Sequence, residues 1–328
     1  EEIEDESHAK KAQQNKISIP DMFKSLFQNP QLIILMLADL AKWCVKFVTA
    51  ASAIAAMFDF TVAAGEQATD LTALVTEDPT AAVRSLVELL PRNNKDVNAV
   101  EPTDDIGRPV ALDNGVASIA DNAALTTLYA DMGKEITAAL CRMGGETVGL
   151  VALNGKLTAD GARKAARLVS FCDSFSIPVV TLVDSEGVEY ADAANAFAKL
   201  AKAYVTATTA KVTAVTGKAY GAAFTLMGSH ALGADLALAL EGSVISVLAP
   251  ETAVAFAMND KITDSKNRAD VEAEWKETYA SPVAAAESGD IDDVIPEAEL
   301  RARIISALYM LAEKADGTPD RKHGVPTL

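Results

Sequence analysis

Residues 212–230 carry the side chains and glycines of this sequence that are best suited to chemistry. Valine and threonine favour extended backbone, and glycine permits backbone angles that other residues avoid. The pattern predicts a buried strand that ends near Thr216, then a tight turn and a helix. The amides of Gly221, Ala222 and Ala223 would lie unpaired at the positive end of the helix dipole. Amides in that position can stabilise a developing oxyanion.

The same residues allow two other interpretations. Small residues also let a helix pack closely on a sheet without any catalytic role. A nucleotide-binding loop needs Ser or Thr directly after its lysine, but here Lys218 is followed by Ala219. An oxyanion turn and a packing element therefore both stay open from this stretch alone.

Histidines and cysteines form no recognisable catalytic or metal-binding set in the sequence. The three histidines are scattered, and nothing places any of them beside both a nucleophile and a carboxylate. The three cysteines are far apart, and each lies in an apolar pattern, as expected for reduced core thiols. These residues are His8, His230 and His323, and Cys44, Cys141 and Cys172. We expect no hydrolase triad, no metal site and a cytoplasmic location.

Two groups of charged residues are candidates for a site, but a structural role is favoured for both. Asp292 and Asp293 are adjacent in a strand-like segment, so their side chains point to opposite faces and are poorly placed as an acid and base pair. The helix predicted over residues 158–175 is expected to expose a solvated basic face, with an anion site as the alternative. The basic residues are Arg163, Lys164 and Arg167.

Composition excludes several classes of function. The 328 residues are 50% hydrophobic and 23% charged, as in a globular protein with room for two domains. The formal net charge of −17 repels nucleic acid, so no nucleic-acid partner is expected. Residues 1–16 lack the features of a signal peptide. Residues 32–57 are strongly apolar, but charged residues at helical spacing predict a buried helix with one polar stripe rather than a membrane span.

Strand and helix patterns alternate along the chain, which predicts an α/β fold. A hairpin with its turn at Gly144 and Gly145 is expected, and residues 92–113 have the composition of an interdomain connection. The predicted strands are residues 136–140, 147–153, 177–184, 211–217, 234–240, 244–248 and 291–295. The predicted helices are residues 80–90, 124–132, 158–175, 191–205, 258–279, 282–288 and 301–314.

Several short motifs, taken together and in order, resemble biotin-dependent acyl-CoA carboxyltransferases. The family includes the carboxyltransferase subunits of propionyl-CoA and methylmalonyl-CoA carboxylases and of glutaconyl-CoA-type decarboxylases. The resemblance covers residues 80–328. The motifs are residues 161–163, 171–178, 179–184, 218–223, 289–295 and 321–324.

The resemblance implies a ClpP/crotonase-like spiral fold that occurs twice per chain. Residues 96–328 would form a complete C-terminal, biotin-side carboxyltransferase domain, and residues 1–95 a partial N-terminal, CoA-side domain. That N-terminal half is short for the family, so it is either reduced or lacks segments here. In the family the active site lies between halves of two subunits, which implies a homo-oligomer, dimer-based and up to a hexamer.

The resemblance also assigns roles to particular residues. The amides of Ala222 and Ala223 would form the biotin-side oxyanion hole, with Gly221 shaping the turn, while Gly187 and Tyr220 would contact biotin. The loop at Gly187 departs from the family pattern, since Glu and Val flank the glycine where the family has Pro and Phe.

The CoA-side oxyanion hole would lie at Ala50, Ala51 and Ser52. These residues occupy roughly the place of a glycine-rich turn in the family, without its consecutive glycines.

The activity implied is movement of a carboxyl group between N1 of biotin and the α-carbon of an acyl-CoA, through a ureido anion and an enolate. Biotin would come from a separate biotin carboxyl carrier protein, since no Met-Lys-Met motif occurs. Biotin carboxylase or membrane decarboxylase subunits would be the further partners. The alternatives are a catalytically weak assembly subunit, or a hydratase or isomerase, which would need a carboxylate base that the sequence does not single out.

Overall fold

The structure is a computed structural model, which describes residues 61–64, 72–76, 78–263 and 266–315. The apolar segment 32–57 and the predicted CoA-side residues Ala50, Ala51 and Ser52 lie outside the described residues. Within the described residues, no helix is both long and apolar enough to cross a bilayer.

Strands and helices alternate through the described residues, as the sequence predicts. The strands are β1 (Thr61–Ala64), β2 (Thr72–Thr76), β3 (Leu125–Leu128), β4 (Ile136–Met143), β5 (Glu146–Asn154), β6 (Val179–Ser185), β7 (Lys211–Tyr220), β8 (Leu236–Leu240), β9 (Val244–Ser246) and β10 (Asp293–Ile295). The α-helices are α1 (Pro79–Leu89), α2 (Ala159–Ser174), α3 (Ala194–Thr206), α4 (Ala222–Leu226), α5 (Pro250–Ala257), α6 (Arg268–Tyr279), α7 (Pro282–Glu287) and α8 (Leu300–Met310).

One mixed sheet organises the molecule, with strand order β10-β8-β7-β6-β5-β4-β3 and β9 paired to the far end of β7. Strands β3, β4 and β5 are antiparallel neighbours, whereas β5, β6, β7, β8, β9 and β10 pair in parallel. Parallel neighbours need crossover connections, and α2 and α3 provide them between β5, β6 and β7. The carboxyl ends of the parallel strands therefore share one edge, where α/β proteins usually bind ligands.

Both faces of the sheet are buried, which explains why its central strands are almost continuously apolar. On β6, alternate residues face opposite sides of the sheet. Val183 packs in the same cluster as Leu200 of α3. Leu182 packs in a second cluster with Ile304 of α8.

A buried ion pair fixes the residues that precede β3. Arg301 of α8 is fully buried, and its Nη2 donates to Asp121 Oδ1 at 2.5 Å. Its Nη1 donates to the carbonyl of Asp105 at 2.6 Å. The Asp121 carboxylate also accepts the amides of Gly144 and Gly145 at 2.9 and 2.8 Å. One charge pair thus joins three segments over one face of the sheet.

The predicted hairpin is confirmed, since β4 and β5 pair in antiparallel register on either side of Gly144 and Gly145. The helix predicted over residues 158–175 is also confirmed, and Thr158 caps it by accepting the amide of Gly161. Two of the predicted helices are wrong. Residues 125–128 form a strand rather than a helix, because they pair with β4. Residues 258–279 do not form one helix, because α6 starts afresh at a capping box on Asn267.

The prediction of a solvated basic face is wrong for Lys164. This side chain is 1% exposed, and its Nζ donates to the carbonyl of Met132 at 3.0 Å. Burial lowers the pKa of Lys164. Arg163 is half-exposed, as expected for that face, and pairs with Asp160 at 2.6 Å.

The cysteines within the described residues are buried, free thiols, as predicted: Cys141 and Cys172. Burial raises the pKa of Cys141 to about 12 and also raises that of Cys172. Both thiols are thereby kept protonated and inert.

The predicted domain boundary at residues 95 and 96 stays a prediction. Ala73 of β2 and Leu86 of α1 belong to the same core cluster as Leu128 of β3. The Tyr129 amide donates to the Ala73 carbonyl at 2.6 Å. The described residues on the two sides of the boundary therefore share one core.

Candidate active site

The carboxyl end of β7 is bent by a close backbone approach. The register between β6 and β7 shifts between Val183 and Ser185. At this point Asp184 Oδ1 accepts the amide of Lys218 at 2.8 Å. A Cβ at position 217 would lie 2.4 Å from the same oxygen, so a side chain there would displace the Asp184 carboxylate. Asp184 and Gly217 together direct the end of β7 away from β6.

After this bend β7 continues to Tyr220 and pairs with β9, so the predicted strand end at Thr216 is wrong. The chain then turns at Gly221, whose φ of 55° and ψ of −130° suit glycine alone. Its amide donates to the Ser246 carbonyl at 2.9 Å, so the prediction that this amide is unpaired is wrong. Gly221 thus shapes the turn and anchors it to β9.

The helix α4 that follows consists of five residues, Ala222–Leu226. Its first amides, on Ala222 and Ala223, have no acceptor within the helix. No group in the described part of the chain accepts them either. Ala223 is fully buried, whereas Ala222 is partly exposed. Two consecutive amide donors therefore remain at the point where the chain leaves the sheet.

Ala222 lines a cleft of about 680 Å³, within the size range of small-molecule sites, and Ala223 follows Ala222 directly in the chain. None of its described lining residues is basic, and Asp290 is the one acidic member. Its walls are mostly apolar or carry hydroxyl groups. The lining residues are Tyr190, Gly221, Ala222, Phe224, Thr225, Ser229, Ala231, Ile245, Ser246, Val247, Thr278, Tyr279, Ala284, Ala285, Ser288 and Asp290.

The two predicted biotin-contact residues lie beside the cleft rather than on its wall. Tyr220 is 8% exposed, and burial raises the pKa of its phenol. Gly187 has a φ of 125° and open space around its Cα. Tyr190, three residues further along the same loop, is 77% exposed and lines the cleft. The structure thus brings Tyr190 together with Ala222, an association that the sequence did not suggest.

An ion pair ties the Gly187 loop to the end of β7. Lys218 Nζ and Glu186 Oε1 are 2.6 Å apart, and both side chains are about half-exposed. Their hydrogen bond lowers the pKa of Glu186 and raises that of Lys218. Both groups are therefore charged near neutral pH.

A histidine and carboxylate pair near the cleft was missed by sequence reasoning. His230 Nε2 lies 2.9 Å from Asp292 Oδ2, which also accepts the amide of Ala237 at 2.7 Å. Asp293 instead pairs with Arg303 at 3.5 Å. The two aspartates thus have separate structural partners, as predicted. No local sequence signal reports contact between residues so far apart in the chain.

A search for metal ligands gives no candidate in the described residues: no three His, Cys, Asp or Glu side chains are grouped so as to hold an ion.

The chain is similar to known carboxyltransferases over most of its length. A family model described as "Carboxyl transferase domain" matches residues 62–326. The putative propionyl-CoA carboxylase beta chain of Bacillus subtilis is 34% identical over 270 residues, which are 74% of this chain and 53% of that protein. The methylmalonyl-CoA carboxyltransferase 12S subunit of Propionibacterium freudenreichii subsp. shermanii is 34% identical over 283 residues, 76% of this chain and 54% of that protein.

Solved structures agree with the sequence relatives. A crystal structure of transcarboxylase 12S, described as a hexamer with hydrolysed methylmalonyl-coenzyme A bound, superposes with a TM-score of 0.72 at 31% identity. The match covers 77% of this chain and 55% of that one. The chain spans about half the length of the curated relatives it matches. The fold is the crotonase-like α/β fold, and the chain belongs to the carboxyl transferase domain family of biotin-dependent acyl-CoA carboxyltransferases.

Proposed function

We propose that this chain transfers a carboxyl group between N1 of biotin and the α-carbon of an acyl-CoA. The observation that carries the proposal is the pair of amides on Ala222, which lines a ligand-sized cleft, and on Ala223, the buried residue directly after it. When bound, biotin supplies the ureido group that carries the carboxyl group. With biotin bound, the two amides would donate hydrogen bonds to its ureido oxygen, and such preorganised donors are a major source of rate enhancement.

The cleft composition supports the biotin side of the reaction. Biotin's bicyclic ring is neutral in the ground state and suits a wall without basic side chains. The phosphates of coenzyme A would instead need cationic partners. We therefore place the acyl-CoA in an N-terminal half, as the resemblance implies, with Ala50, Ala51 and Ser52 as the CoA-side oxyanion residues.

We propose that Gly187 and Tyr220 support the residues of the cleft wall without lining the cleft themselves. The Gly187 loop positions Tyr190 at the cleft, and Tyr220 is the buried residue that precedes the Gly221 turn. Neither residue needs to touch biotin for this role. Tyr190 is the more direct contact.

The proposal extends to partners that the reaction requires. Biotin would arrive on a biotin carboxyl carrier protein, and a biotin carboxylase or membrane decarboxylase subunit would charge or discharge it. We also propose a homo-oligomer, dimer-based and up to a hexamer, in the cytoplasm. A C-terminal biotin-side domain over residues 96–328 would then meet the CoA-side domain, residues 1–95, of another copy.

The test is biotin-dependent decarboxylation of malonyl-CoA, methylmalonyl-CoA and glutaconyl-CoA, with free biotin in place of the carrier. We expect one thioester to lose its carboxyl group only when biotin is present. No turnover by an intact oligomer would overturn the catalytic proposal and favour an assembly subunit. Hydration of an enoyl-CoA without biotin would point to Asp290 as a base and to a hydratase.

A further inference from the structure

We infer, on the basis of the proposed function, that His230 and Asp292 form a positioning pair. The pair joins two walls of the cleft and thereby sets the affinity for biotin. Neither residue lines the cleft, so neither is a catalytic residue in this role.

The two walls lie on either side of this pair. One wall is the turn at residues 229–234, from which Ser229 and Ala231 line the cleft directly before and after His230. The other is the end of α7 and the segment after it, from which Asp290 lines the cleft two residues before Asp292. A contact between His230 and Asp292 therefore spans from one wall to the other.

The turn at residues 229–234 is otherwise held by bonds within itself and to α4. Leu232 and Ala234 donate their amides to the Ser229 carbonyl at 2.9 and 3.2 Å. Ser229 Oγ donates to the Thr225 carbonyl at 3.1 Å. Among the hydrogen bonds and ion pairs of the described residues, the His230 pair is the link from this turn to residues 284–292. Without it, no hydrogen bond or ion pair among the described residues joins this turn directly to residues 284–292.

Both ring nitrogens of His230 face hydrogen-bond acceptors. Nε2 faces the Asp292 carboxylate at 2.9 Å, and Nδ1 faces the Ala234 carbonyl at 3.2 Å. The carboxylate is fixed in turn, because Asp292 exchanges backbone and side-chain bonds with Ala237 of β8.

The exposure of the two side chains indicates that the pair fixes the position of the cleft walls and contributes little to the stability of the whole fold. The side chains of His230 and Asp292 are 31% and 42% exposed. Ion pairs this accessible to water contribute little to the free energy of unfolding, because solvent screens them. Removing the pair should therefore leave the fold intact and loosen the cleft.

The kinetic test compares His230→Ala and Asp292→Asn with the wild type. We expect KM for free biotin to rise about three- to fivefold, the equivalent of a partly screened ion pair, while KM for the acyl-CoA stays unchanged. His230→Lys restores a cation and should return KM for biotin towards the wild-type value. Asp293→Asn is the matched control, since it removes the neighbouring carboxylate on the opposite face.

Hydrogen–deuterium exchange gives a readout that does not need turnover. The amides of residues 229–234 should exchange faster in His230→Ala and at the wild-type rate in Asp293→Asn. Equal rises in both KM values without rescue by lysine, or unchanged exchange and KM, would overturn the inference. A wild-type protein without biotin-dependent turnover would refute the proposed function and the effect on biotin, whereas the exchange rates would still decide whether the pair joins the walls.

Discussion

Two turns in this molecule present consecutive backbone amides, and they are used differently. In the β4–β5 hairpin, Gly144 and Gly145 donate to the buried carboxylate of Asp121. At the end of β7, the amides of Ala222 and Ala223 have no acceptor among the described residues, and Ala222 lines a cleft. The first turn shows that an adjacent pair of amides can bind a carboxylate in this protein.

The two turns differ in whether a basic side chain compensates the negative charge of the group that the amides bind. Arg301 compensates Asp121, so the hairpin holds a permanent anion. No basic side chain of the described residues lines the cleft at Ala222, so a permanent anion would be poorly compensated by them. A ligand that becomes negative only during reaction would gain from the two amides at that moment. That is the differential binding that accelerates a chemical step.

The largest effect is expected from Asp121→Ala, which removes the carboxylate that accepts the Gly144 and Gly145 amides. It also leaves Arg301 buried without its closest carboxylate. We expect the free energy of unfolding to fall by about 3–5 kcal/mol, as for other broken buried ion pairs. Denaturant titration measures it.

Asp113→Ala is the control for that variant, because it removes an exposed aspartate from the same region. Its effect should lie within about 0.5 kcal/mol of zero. Asp121→Ala combined with Arg301→Met should be more stable than Asp121→Ala alone, because no unpaired charge stays buried. Equal stability of the two would show that the ion pair is not the main anchor.

The next effect concerns the turn that carries the Ala222 and Ala223 amides. Ala222→Val places a branched side chain on the cleft wall beside the two amides. We expect carboxyl transfer to fall about 100- to 1000-fold, as when an oxyanion donor is lost. The thermal midpoint should change little. Turnover of the methylmalonyl thioester with free biotin measures the loss.

Ala194→Val is the matched control, since Ala194 is also the first residue of its helix but is exposed and away from the cleft. Its turnover should equal that of the wild type. If the Ala222→Val variant keeps its activity, the amides of Ala222 and Ala223 do not form the oxyanion site.

A smaller effect is expected from a variant that tests the backbone geometry of the turn at Gly221. Gly221→Ala must adopt a φ of 55° and a ψ of −130°, with its Cβ 2.9 Å from the Val247 carbonyl oxygen. We expect a loss of about 1–3 kcal/mol in stability, as for other strained backbone positions, together with reduced turnover. Gly242→Ala, where an added Cβ meets open space, should change neither property. Normal turnover in Gly221→Ala would show that the turn need not be rigid.

Several features set by local sequence were predicted correctly, although the local capping box at Asn267 was missed. The hairpin at Gly144 follows from two apolar runs around a glycine pair, and the start of α2 follows from Thr158, which caps its own helix. Both depend on neighbours within a few residues. The family resemblance further assigns a role to Ala222 and Ala223, and the placement of Ala222 at the cleft wall depends on the whole sheet.

Features set by distant pairing could not be predicted. Residues 125–128 are extended because β4 supplies their partner, and β7 reaches Tyr220 because β9 pairs with its far end. The contact of His230 with Asp292 likewise depends on the position of β10 beside β8. In each case the deciding partner lies on another element, which the local pattern does not report.

The smallest effect compares two buried cations. Arg301 has a carboxylate partner, whereas Lys164 donates to the Met132 carbonyl, and burial lowers its pKa below the ordinary value of 10.5. Between the lowered pKa and 10.5 the unfolded chain binds more protons than the folded one, so the free energy of unfolding rises with pH through this window. Below the window the cost of the buried charge is fully present, and above it that cost is gone.

Lys164→Met should therefore flatten the rise in stability on the alkaline side, as measured by urea titration at a series of pH values. Lys134→Met, which removes an exposed charge nearby, is the control and should keep the wild-type slope. If Lys164→Met keeps that slope as well, the carbonyls stabilise the buried ammonium as well as water does. A carboxylate would then not be required to hold a charge inside this fold.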